Sequence, residues 1–221
     1  LSYMTCKHGC NDKITNTKNQ LHFNQHKLHV IDSLVVEKEL RDNLFRNVAF
    51  DYLLKEHDSP ENNKVFLDDF VTVSGNNMHI KEIENLYDGI RNIQPNKPIP
   101  ALTVLSVDDT AITLSEIGAQ RKTVFYFWTA TNKMHYQNIF KRVDQLSQTK
   151  PEFDFIGINF QTNKANWKGI IESSGLDMEK QFRSENFEEA TQKLIIYPMN
   201  KCIITDDALI VDAFSNIYSN F

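Results

Sequence analysis

Cysteine is scarce in this chain: Cys6, Cys10 and Cys202 are the three in 221 residues. Three cannot build a disulfide scaffold, and none are spaced Cys-x-x-Cys, so no zinc ribbon or dithiol motif is written out. They do not settle the redox compartment. Proline and glycine are sparse too, at six and seven, which excludes collagen-like and low-complexity chains. No apolar run approaches the ~20 residues a membrane-spanning helix needs. Basic charge is in deficit, with 24 Lys and Arg against 29 Asp and Glu. A net charge of -5 offers no field for nucleic acid or an anionic membrane. No P-loop, G-x-G-x-x-G, Ser/His/Asp set or paired-carboxylate motif stands in a supporting context. What is present is 41% hydrophobic and 24% charged residues, a globular composition. At ~100–200 residues per domain the length predicts one or two domains. The chain begins at Leu1, without a basic or apolar leader pattern. It reads as a mature or trimmed chain whose targeting signal is out of view.

The first half reads as helical. Cys6 and Cys10 bracket Lys-His-Gly in residues 1–15, where they could be a redox pair, half a metal site or plain thiols; the spacing favours plain thiols. A helix over 16–31 places His22, His26 and His29 at i, i+4 and i+7 on one face. Those three, with or without His8 or Cys10, could bind a divalent ion. With no acidic or Cys ligand at matching spacing, a solvated face opposite Leu21, Leu28 and Ile31 is the preferred reading. A second helix is expected from Ser33, its cap, to Lys55, with Leu40, Leu44, Val48 and Tyr52 repeating every four residues. Asp58-Ser59-Pro60-Glu61 is a helix restart, and Gly75 ends that helix. Asn76 or Asn77 caps a further one carrying Ile80, Ile83, Tyr87 and Ile90. Three prolines between Gln94 and Pro100 mark a stiff linker. The expected division is a helical domain over 1–95 and a second domain over 96–221.

The second half reads as α/β. Residues 99–117 give a β-hairpin turning at Asp108-Asp109. Val124–Trp128 is a continuous aromatic and β-branched run, fit for a central strand buried on both faces. Thr131 and Asn132 are good helix caps, and Tyr136, Ile139, Phe140, Val143 and Leu146 follow at helical spacing. The chain therefore turns from a central strand straight into a helix N-terminus, where α/β proteins commonly place chemistry. Phe153–Phe160 is a second buried strand, parallel to the first. A helix carrying Trp167, Ile170 and Ile171 follows. Residues 176–192 are polar and poorly patterned, and 194–211 read as a closing β-hairpin with Cys202 inert on a buried strand.

The segment Val-Phe-Tyr-Phe-Trp-Thr-Ala-Thr-Asn-Lys-Met-His (124–135) resembles the thioredoxin-like segment of the TlpA and AhpC/TSA (redoxin) group. That group usually shows an apolar strand, Phe-Trp-Ala and then Cys-x-x-Cys. Ile99-Pro100 with Leu102, Leu105, Asp108, Ile112, Leu114 and Ile117 is similar to the group's opening hairpin, with Asp109 and Thr110 in place of its Gly turn. "FIGINF" (155–160) and the Trp167 helix are similar as well. The resemblance covers about 98–217. It implies a mixed sheet flanked by helices, with an all-α segment ahead of it. It places Asn132 at the nucleophilic cysteine and His135 at the resolving one, so both redox sulfurs are replaced. Pro198 falls at the group's cis-proline facing the site, with Met199 where Thr is usual. The group usually ends in one more helix, so its absence before Phe221 is expected to reflect truncation or disorder rather than a different fold.

Thiol-disulfide exchange needs an attacking thiolate and a resolving thiol, and Asn132 and His135 supply neither. Thr129 and Thr131 bring hydroxyls without an evident general base. The expectation therefore leans away from an enzyme. It is a redox-inactive binding or structural module of the bacterial cell envelope, without a cofactor. It would take a peptide, partner domain or small ligand in a groove formed by Trp128, Thr129, Thr131, Asn132, Met134, His135, Tyr197, Pro198 and Met199. The alternatives are an oxidoreductase using Cys6 and Cys10, and a metal-binding protein using His22, His26 and His29. His135 catalysis would need a carboxylate partner.

Overall fold

The computed structural model describes residues 13–55, 58–196 and 199–219, with side chains from residue 20 onward. The chain divides into two compact units, one ending at Asp88 and the other beginning at Gly89. The division falls inside the fourth helix.

The first unit is helical. Helix α1 spans Lys13–Leu34, α2 Lys38–Lys55, α3 Pro60–Val73 and α4 Asn77–Asn92. Ser33 is not the start of the second helix. It lies in the last turn of α1, where its hydroxyl donates to Val30 O. The α2 amides are met instead by the Glu37 carboxylate, which accepts from Glu39 N at 2.9 Å and Leu40 N at 2.6 Å. The four-residue stripe is corrected as well. Leu40 is 52% exposed, and the buried face carries Asp42, Phe45, Ala49, Tyr52 and Leu53. At 3.6 residues per turn, a repeat of four drifts by about 40° each step, so Leu40 ends about 120° from Tyr52. Asn76 caps α4, accepting from Met78 N and His79 N.

Phe45, Tyr52, Phe66, Phe70 and Ile83 are fully enclosed in this unit. The Tyr52 and Phe66 rings lie 4.2 Å apart. Ser59 caps α3, and Asp58 beside it links two helices. Its buried carboxylate accepts from Tyr52 Oη at 2.7 Å, Ser59 N at 2.7 Å and Asn62 Nδ2 at 2.8 Å, tying α2 to α3.

The second unit is built on one seven-stranded sheet in the order β2-β1-β5-β4-β3-β6-β7. The strands are β1 (Thr103–Leu105), β2 (Ala111–Thr113), β3 (Lys122–Thr129), β4 (Asp154–Phe160), β5 (Gln181–Ser184), β6 (Lys201–Asp206) and β7 (Leu209–Asn216). Strands β3, β4 and β5 run parallel, while β6 pairs antiparallel with β3 and β1 with β5. The helices are α5 (Leu114–Gly118), α6 (Lys133–Thr149), α7 (Lys164–Ser174) and α8 (Phe187–Leu194). Val124 to Trp128 are all 0% exposed, as a central strand of continuous apolar residues requires.

On one face Val124, Tyr126, Trp128, Phe155, Cys202 and Ile204 pack with α6 and α7. On the other, Phe160 meets Phe127 and the α8 residue Phe187. Two expectations are corrected here. The polar segment 176–192 holds β5 and the start of α8, and β5 lies inside the sheet, between β1 and β4. The closing hairpin begins at Lys201, not 194: Leu194 ends α8 and Ile195 is left-handed at φ 51°.

Candidate functional site

Strands β3 and β4 end side by side, and each passes directly into a helix. At the end of β3, Thr129 and Thr131 hydroxyls bond at 2.5 Å. Asn132 is the α6 cap, its Oδ1 accepting from His135 N at 3.0 Å. The cap satisfies one amide that a helix start leaves free. At the end of β4, Thr162 Oγ1 accepts from Ala130 N at 3.2 Å, and Asn163 caps α7 through Asn166 N at 2.9 Å. The two strand-to-helix turns are thus joined to each other.

Asn132 and Thr131 are exposed, Met134 is 72% exposed, and His135 is half-buried. Partial desolvation pulls the His135 pKa below its ordinary value, which favours a neutral ring. Trp128 is 0% exposed. Its ring turns inward onto Phe140 (4.9 Å, edge-on) and Tyr136 (5.8 Å), so it backs the turn from inside. Met199 lies in the turn before β6, partly buried. The β3–β6 pairing runs from Lys122–Asp206 to Tyr126–Cys202, so Met199 stands three residues before its last paired residue. Tyr197 and Pro198 lie outside the described residues, as do Cys6, His8 and Cys10.

Cys202 is the free cysteine of the described residues and is fully buried. Burial, with Asp212 adding to it, pushes its thiol up to about 12, so it is neither accessible nor ionised at neutral pH. His22, His26 and His29 are exposed on α1, with Leu21, Asn24 and Leu28 buried on the other side. Among the described residues no group of three or more His, Cys, Asp or Glu side chains is placed to hold a metal ion.

Two features had little signal in the sequence. Lys201 is only 4% exposed. Its Nζ donates to Leu194 O at 2.6 Å and Ile195 O at 2.9 Å and lies 4.3 Å from the Phe214 ring centre. Burial pulls its pKa down to about 7, against the opposing pull of Asp212. The second is an ionic cluster in which Arg183 pairs with Asp109 at 3.1 Å and Glu185 at 2.8 Å, while Lys164 also meets Asp109. A lysine opening directly onto the apolar run Cys202–Ile204 was the one available hint for the first.

No protein-family model and no curated protein sequence matches the chain. Among solved structures, a thioredoxin-like protein from Bacteroides caccae aligns with a TM-score of 0.58 at 9% identity, covering 92% of this chain and 78% of that one. The thioredoxin domain of a thiol-disulfide oxidoreductase from Bacteroides vulgatus aligns at 0.46 and 15% identity, over 53% of this chain and 86% of that one. A thiol-disulfide oxidoreductase from Bacteroides fragilis gives 0.43 and 16%, over 52% and 88%. The mixed sheet and its flanking helices are those of the thioredoxin-like fold. At such identities the likeness defines the fold and not the reaction.

Proposed function

We propose that the second unit is a redox-inactive thioredoxin-like binding module, taking an extended peptide or partner segment at the turn formed by Thr131, Asn132, Met134, His135 and Met199. The observation that carries this reading is Asn132. The position where the resemblance expects an attacking sulfur holds an amide, and that amide is engaged as the α6 cap. Cys202 is too buried and too weakly acidic to stand in for it. Exposed Met134 suits contact with varied apolar side chains, since methionine adapts its shape at low cost. Placement in a bacterial cell envelope belongs to the same proposal and rests on the family resemblance. Among the described residues no helix is long and apolar enough to cross a membrane.

The test is binding of the full chain to a library of unstructured peptides, read by fluorescence polarisation. Met134→Glu and Met199→Glu should each weaken the selected peptides at least tenfold. Peptides that bind both variants as tightly as the parent chain, or a library that yields no binder, would overturn the proposal.

A further inference from the structure

On the face covered by α6 and α7, two register rows cross β3, β4 and β5. They are Trp128–Asn159–Arg183 and Tyr126–Gly157–Gln181. Partners in register share a face, and neighbouring strands lie about 4.8 Å apart. Gln181 Nε2 reaches across Gly157 to donate to Tyr126 Oη at 2.8 Å. Four other polar atoms in these rows meet no protein partner: Trp128 Nε1, Asn159 Oδ1, Arg183 Nε and Gln181 Oε1. Trp167 Nε1, from α7 on the same face, is a fifth. Trp128, Trp167 and Asn159 are 0% exposed and Gln181 2%. A buried group left unpaired costs about 1–3 kcal/mol, so five such atoms on one face call for a guest.

Their chemistry specifies it. Three are N–H donors and two are amide oxygens. Arg183's charge is already met by Asp109 and Glu185. An anion would face the two amide oxygens, and a cation the three donors. The guest must be neutral, both donate and accept, and fit within a packed core. Water does so, and a buried water typically makes about three such bonds.

We propose that this face holds an internal hydration site, with ordered water bridging Trp128 Nε1 and Trp167 Nε1 to Asn159 Oδ1 and Gln181 Oε1. The Arg183 ion pairs close its outer end. The site lies behind the strand-to-helix turn and is independent of what binds there.

The chain has two tryptophans, so its indole N–H protons give two resolvable NMR signals. Both should show direct cross-relaxation with water, of the sign given by a molecule held longer than the protein tumbles. The Trp128 signal should persist in Tyr126→Phe, which removes the one hydroxyl proton of these two rows and with it any relay through that proton. It should fall at least fivefold in Asn159→Leu. A crystal structure of the parent chain should show water within hydrogen-bonding distance of Trp128 Nε1, which keeps the proposal testable if Asn159→Leu does not fold. No cross-relaxation at either indole, loss of the Trp128 signal in Tyr126→Phe, an undiminished signal in folded Asn159→Leu, or a dry crystal site would each overturn it.

Discussion

Gly157→Ala tests how the three parallel strands fit together. Gly157 pairs with Tyr126 on one side and Gln181 on the other. A Cβ at this position would stand 2.1 Å from Gln181 Oε1, 2.7 Å from Tyr126 Oη and 2.8 Å from Tyr126 Cζ. None of these is free to swing away, because Tyr126 is 0% and Gln181 2% exposed. Overpacking a tight core costs about 1–3 kcal/mol. Displacing Gln181 also breaks its bond to Tyr126, worth about 0.5–1.5 kcal/mol. Alanine returns about 0.5–1 kcal/mol by restricting the unfolded chain. The net expectation is a loss of about 2 kcal/mol, or about 1 M in a urea midpoint at ordinary slopes. Trp128 and Trp167 both lie in this unit, so fluorescence reports its unfolding without the helical unit. Adding Gln181→Ala removes the closest clash, so the double variant should recover at least about 0.5 kcal/mol relative to additivity. A midpoint for Gly157→Ala within about 0.2 M of the parent would show that the strands yield to the added methyl at no cost.

Three further outcomes are expected. In a Cys6→Ser/Cys10→Ser background, Cys202 should ignore a thiol reagent at pH 8 and react stoichiometrically in guanidinium; labelling of the native chain would contradict its burial and its pKa of about 12. Lys201 sits at about 7 when folded and at 10.5 ordinarily, so above pH 7 the unfolded chain binds the extra proton and stability should rise with pH. Between pH 7 and 8.5 that rise should flatten in Lys201→Met, and equal slopes would count against the assignment. The His135 ring, whose cation is disfavoured by partial burial, should titrate by NMR below the ordinary 6.5; a midpoint above that value would reveal an anionic partner not yet placed.

Much of the second unit was legible because its central strands are buried on both faces. Val124–Trp128 and Phe155–Phe160 announce themselves as apolar runs, and the Asn132 cap with its helical stripe completes the strand–helix–strand unit. Strand β5 was not legible. Its polar residues Gln181 and Arg183 are held by Tyr126, far away in sequence, and by Asp109 and neighbouring Glu185. Alternation within four residues carries no trace of the distant partners. Lys201 was hidden for the same reason, since its carbonyl acceptors belong to the end of α8. The α1–α2 break was misplaced because Ser33 and Glu37 can both cap, and only the course of the backbone selects Glu37. At the site, residue types and the turn geometry were readable from sequence, but the inward rotation of Trp128 was not. It follows from its contacts with Tyr136 and Phe140.

The proposed binding role requires that this thioredoxin-like unit work without thiol chemistry. Its most direct test is reduction of insulin disulfides by the purified chain with dithiothreitol, beside the Cys6→Ser/Cys10→Ser variant. Turnover should stay at the dithiothreitol background for both proteins. Turnover well above background in the parent chain and lost in the variant would contradict it, and would assign the redox role to Cys6 and Cys10.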